Sequence, residues 1–105
     1  MPRVADLASG RSGDKGDVAN VAIVARSAAA FATLTRELTA RRVADALHDL
    51  VNGPVERYEL ENLGALNFVM HGALDGGATR SLRFDTLGKS LADRVLAIEL
   101  TFIDP

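Results

Sequence analysis

The sequence predicts an α+β fold, a two-layer sandwich in which a mostly antiparallel sheet of four to five strands carries helices on one face. Three observations predict it. Short β-branched or alternating runs at Val18–Arg26, Val55–Leu60 and Ala65–His71 read as strands. Segments with apolar residues at helical spacing, such as Phe31, Leu34 and Leu38, and later Leu87, Leu91, Val95 and Ile98, read as helices. Their order is strand, strand, helix, strand, strand, helix, which is the split βαβ arrangement βαββαβ with its last strand moved to the front. In that fold the first and last strands are antiparallel neighbours, so a hairpin joins them.

Taken in order, Arg3–Ala8 alternates and predicts a first short strand. Ser9 to Asp17 carries glycines at every third position, Gly10, Gly13 and Gly16, and predicts a long loop into a central strand at Val18–Arg26. Ser27 is placed to cap a helix over Ala28–Leu38, and Thr39 re-caps a second segment over Ala40–Val51 with Val43, Leu47 and Leu50 as its stripe. Asn52-Gly53-Pro54 ends it, since Asn or Gly accepts a left-handed cap and proline cannot continue a helix. Val55–Leu60 carries charge on both sides, which predicts an edge strand. Glu61 to Gly64 turns the chain, and Ala65–His71 puts Leu66, Phe68 and Met70 on one face of a strand, with helix the competing reading. Gly72 to Arg80 reads as a second irregular connection. A short strand at Ser81–Asp85, a last helix capped by Asp85 or Thr86, and a final edge strand at Leu100–Ile103 complete the expectation.

Composition bounds the function. The 105 residues make one domain, and the absence of cysteine excludes disulfides, zinc–thiolate sites and thiol nucleophiles. Twelve basic against fourteen acidic residues, a net charge of −2, argue against nucleic-acid binding by phosphate neutralisation. The N-terminus has no apolar targeting region and no run approaches the ~18 residues of a membrane span, so the expectation is a cytoplasmic protein without membrane association.

The stretch Arg11, Ser12, Gly13, Asp14, Lys15, Gly16 and Asp17 is the first candidate site. Its glycines permit a backbone nest for an anion, with Arg11 and Lys15 adding charge, or else they shape an elaborate hairpin. It is neither a P-loop nor a dinucleotide fingerprint, because Lys15 precedes Gly16 and a strand follows. Asp14 and Asp17 offer too few oxygens for calcium, and no metal or cofactor is expected. His71, ending an apolar run beside Gly72, is the candidate acid or base; the competing reading is a polar strand-end residue. Arg80 and Ser81 extend the candidate rim for an anion. Arg41 and Arg42 read as solvent-facing, His48 as a boundary residue, and Asn20 and Asn67 as polar residues in apolar strands that need hydrogen-bond partners.

Four blocks carry a family resemblance: Leu7 through Gly10–Asp17, Gly53–Leu60, Ala65–Val69, and Arg80–Asp85 with Gly88-Lys89. Together they resemble the C-terminal domain of the AtuA, or acyclic terpene utilisation, family. The resemblance implies a ferredoxin-like fold and association with catabolism of isoprenoid acids such as citronellyl and geranyl thioesters of coenzyme A. Members of that family carry a larger domain ahead of this one. The expected partners are therefore a separately encoded AtuA-like large domain or a second copy of the chain, with the loops at 9–17 and 71–81 at the contact. The alternative is a free-standing enzyme or binder of acyl-coenzyme A or a similar anion.

Overall fold

A computed structural model describes residues 2–15, 18–49, 51, 53–72 and 91–100. Its elements are α1 (Val4–Leu7), β1 (Ala8–Lys15), β2 (Val18–Ala25), α2 (Ala28–Glu37), α3 (Ala40–Ala46), β3 (Val55–Leu60), a 3₁₀ turn (Glu61–Leu63) and β4 (Ala65–His71). A helical segment at 91–96, α4, follows.

The sheet order is β1-β2-β4-β3, with every neighbouring pair antiparallel. This is the order of a split βαβ fold whose last strand has become the first, so the ferredoxin-like α+β expectation holds. β2, the helices α2 and α3, and β3 form the split unit, with β4 inserted between its two strands.

Two expectations at the N-terminus are corrected. The first strand is not Arg3–Ala8: Val4–Leu7 is a helical turn, stabilised because the Asp6 carboxylate accepts the Arg3 N–H at 2.8 Å. Arg3 keeps only an isolated bridge to Glu99. Nor is Ser9–Asp17 a nine-residue loop, since Ala8–Lys15 is itself strand, paired residue for residue with Val18–Ala25. Glycine and serine have low strand propensity, but pairing along a β-branched neighbour overrides it.

Ser27 and Thr39 cap as expected, their hydroxyls accepting from Ala30 N and Arg42 N. α3 is shorter than the Ala40–Val51 expected, giving way to a turn over 47–49. Ala65–His71 is strand, and Leu66, Phe68 and Met70 are fully buried. They meet Val21 and Ile23 of β2, Leu34 of α2 and Leu38 at its C-cap, Val43 of α3, and Leu91 and Val95 of α4 in one core. Each such side chain contributes about 1.5–3 kcal/mol through burial. Gly10 lies on this inner face, where a methyl group would stand 3.2 Å from Ile23 Cδ1 and 3.3 Å from Leu96. The bare strand lets α4 approach β1 closely.

Two arginines bind the layers. Arg57, on the inner side of β3, donates to the carbonyls of Thr35 (2.8 Å) and Leu38 (3.0 Å), satisfying the end of α2. Arg42 is not the solvent-facing residue expected: half-buried, it donates to the Glu37 carbonyl at 3.2 Å and the Glu99 carbonyl at 2.6 Å. The expected strands at 81–85 and 100–103 and the start of the last helix lie outside the described residues, apart from Leu100, which is buried.

Candidate functional site

Among the described residues the helices all contribute to the core on one side and leave the other side of the sheet open. Strand alternation assigns its residues in cross-strand rows. The register aligns Ser9, Val24, Ala65 and Leu60 in one row, and Arg11, Ala22, Asn67 and Tyr58 in the next. Gly13, Asn20, Val69 and Glu56 follow, and the last row joins Lys15, Val18 and His71 at backbone level. β1 and β4 therefore finish at the same end of the sheet.

His71 stands in that last row, and its backbone is clamped. Its N–H donates to the Pro54 carbonyl at 3.0 Å and its carbonyl accepts from Gly53 N at 2.8 Å. Gly53 is required there because a side chain would run into the His71 carbonyl. Gly53 therefore does not supply the left-handed cap expected of Asn or Gly here, since among the described residues positive φ belongs to Gly64 and Gly72; Asn52 lies outside the described residues.

The imidazole Nε2 of His71 lies 3.1 Å from Glu56 Oε1, and the Tyr58 hydroxyl donates to the same oxygen at 3.2 Å. A carboxylate can only accept, so Nε2 is the donor of this bond, and a ring carrying a single proton keeps its lone pair on Nδ1. The two donors hold the Glu56 carboxyl below the usual carboxylate range, the His71 bond being the larger cause and the Tyr58 bond the second. The Glu56 charge in turn raises the Tyr58 phenol above its ordinary value.

Asn20 and Asn67 partner each other. Asn20 Nδ2 donates to Asn67 Oδ1 at 3.1 Å, with the Asn20 amide lying over Gly13. They brace neighbouring strands rather than loops.

A model of the AtuA ferredoxin-like domain matches residues 2–101. The chain belongs to this family. No curated protein and no solved structure matches it.

Within this AtuA ferredoxin-like domain, the sequence-predicted site residues fall into three groups. Arg11 is exposed, on the same open face as His71, while Ser12 turns to the inner side with its register partner Val21. Gly13 serves the Asn20 side chain, and Asp14 and Lys15 are described at backbone level as the end of β1. An extended strand points successive amides to opposite edges, so residues 9–15 do not form an anion nest. Gly16, Asp17, Arg80 and Ser81 lie outside the described residues. Sequence reasoning missed Glu56 and Tyr58 as partners of His71. The signal existed in the alternation of β3 and the short turn after Leu60, which together fix the hairpin register. A shallow groove lined by Glu59 to Leu63 lies at the opposite end of the sheet. Among the described residues no cluster of metal ligands forms and no helix is long and apolar enough to cross a membrane.

Proposed function

We propose that this chain is an accessory module of an AtuA-type system acting on isoprenoid or branched acyl-coenzyme A compounds. It docks on a large AtuA-type domain through the end of the sheet where β1 and β4 finish. The observation that supports this most directly is the common level of Lys15, Val18 and His71, with Gly53 and Pro54 bonded alongside. The strand that carries Gly10 and Gly13 and the strand that runs into Gly72 thus finish at one end of the sheet. Segments carried by a rigid sheet make a rim that a second domain can meet. His71, clamped through its backbone and oriented by Glu56, gives that rim a preorganised polar contact.

The Glu56–His71 pair also favours a second reading, a module that itself acts on acyl-coenzyme A or a similar anionic metabolite. The Nδ1 lone pair is then available as a proton acceptor, and Arg11 stands on the same face to hold an anion.

Mixing the chain with a separately produced large AtuA-type domain tests the first reading. A complex that survives gel filtration and weakens with His71→Ala is expected; clean separation of the two chains removes the reading. Thermal unfolding with branched acyl-coenzyme A thioesters tests the second. A bound thioester at about a hundred times its dissociation constant adds ~2.7 kcal/mol of stability. That gain must vanish in Arg11→Ala.

A further inference from the structure

We infer that the open face of the sheet pairs with the same face of a second copy of this chain, about a two-fold axis parallel to the strands and lying between β2 and β4. The inference goes beyond the docking reading and leaves the end of the sheet for the large domain.

The apolar residues of this face are not scattered. The large hydrophobic residues exposed among the described residues are Val24, Tyr58, Leu60 and Leu63. All belong to one corner. Val24 and Leu60 flank Ala65 in a single cross-strand row, Tyr58 stands in the next row beside Asn67, and Leu63 follows Leu60 in the 3₁₀ turn. Ala22, Val18 and Val69 continue the apolar surface toward the other end. Single exposed apolar residues need no explanation, whereas a contiguous set marks a contact surface.

Four side chains of the face besides Arg11 and Ser9, namely Asn20, Asn67, Tyr58 and His71, are bonded within it. Asn20 donates to Asn67, and Tyr58 and His71 both bond Glu56. Covering the face therefore leaves these bonds made, and the large penalty for stranding a buried polar group is avoided.

Charge selects the occupant. Arg11 lies on β1, one edge of the sheet, and Glu56 on β3, the other edge. A two-fold parallel to the strands exchanges the edges and preserves the level along them. Each copy's Arg11 then comes over the other's Tyr58, one row from Glu56, a cation meeting a ring and a carboxylate, twice by symmetry. Val24 lies beside the axis and faces the partner's β4, while Ala65, only 3% exposed in its own chain, adds no contact area. A two-fold across the strands would lay Glu56 against the partner's own β3 instead. Strands of seven or eight residues in a four-stranded sheet span about 25 by 19 Å. Roughly 1,000 Å² is then covered over both copies, the lower bound for a specific interface, so the dimer dissociates on dilution.

Analytical ultracentrifugation of the whole chain tests this. The mass is expected to rise from 11.1 kDa toward twice that between micromolar and millimolar chain. Val24→Asp should keep it monomeric with unchanged circular dichroism. Arg11→Glu and Glu56→Arg chains should each dimerise poorly alone and recover dimers when mixed, because the mixed pair has opposite charges at both contacts. A chain that stays monomeric throughout overturns the inference. So does a dimer that survives Val24→Asp, or a mixture of the charge variants that does not recover.

Discussion

His71 and Glu56 stand fifteen residues apart in the chain, yet Nε2 of one lies 3.1 Å from Oε1 of the other across the β3–β4 pair. Both side chains are exposed, so their attraction adds little to stability. What the contact fixes is orientation. The proton-bearing nitrogen is turned along the sheet to Glu56, leaving the other nitrogen to meet whatever approaches the face.

Glu56 should report this arrangement directly. Donors favour the ionised carboxylate, so its midpoint lies below the ordinary range. The sign follows: the contribution is present above the unfolded carboxylate range and is lost as pH falls through the lowered folded value. Carboxyl NMR titration should find His71→Ala raising the Glu56 midpoint more than Tyr58→Phe, matching the order of the causes. Glu56→Gln should bring the Tyr58 phenol down toward its ordinary value of 10.0. Unmoved midpoints would mean the three groups do not share the oxygen.

The Asp49–Arg94 pair links the turn after α3 to α4. Arg94 donates to both Asp49 oxygens at 2.9 Å, and that bonding is the main cause holding the Asp49 carboxyl down at about 2. The folded value is depressed, so the stabilising effect is full above the unfolded pKa near 3.8 and disappears as pH falls toward 2. Arg94→Gln should return the Asp49 midpoint close to 3.8 and make the acid unfolding curve less steep between those values, with little change at neutral pH. A midpoint that stays near 2 in the variant would assign the shift to another group.

Much of this molecule is legible in the sequence because its signals are local. The caps at Ser27 and Thr39, the apolar alternation of Leu66, Phe68 and Met70, and the mixed charges of the edge strand β3 each follow from neighbours in the chain. The permuted strand order follows from element order. The glycine-rich stretch misleads because composition outweighs pairing when a strand is read alone. A glycine period of three on a strand period of two sends Gly10 to the core side and Gly13 to the open side, each for its own neighbour. Neither Leu96 nor Asn20 is visible from residues 9–17. Alternation alone puts Glu56 with Tyr58 and Leu60 on one side of β3, but its meeting with His71 depends on strand pairing. Arg42 reads as a surface residue because its acceptors, the carbonyls of Glu37 and Glu99, are backbone groups without a sequence signature.

Gly13 tests the asymmetry. A methyl group there would stand 3.0 Å from Asn20 Oδ1, too close for the amide to stay in place. Gly13→Ala should displace Asn20 and break its bond to Asn67, a neutral bond of about 0.5–1.5 kcal/mol. Urea unfolding should register that loss in the wild-type background and none in Asn20→Ala, where nothing obstructs the added methyl. Equal losses in both backgrounds would place the strain elsewhere.

Gly53 should be the less tolerant glycine, because its neighbour is backbone. The His71 carbonyl that a side chain at 53 would strike also accepts the Gly53 N–H at 2.8 Å, so relieving the clash means opening the bond. An asparagine amide at the surface can swing aside; a carbonyl bonded into the end of β4 cannot. Gly53→Ala should therefore cost about 1–3 kcal/mol, the range for forcing extra atoms into a packed site. It should also move the His71 ring resonances, since the backbone that carries the imidazole must shift away from Pro54 and Glu56. A folded variant of wild-type stability with unmoved His71 resonances would contradict the clamp.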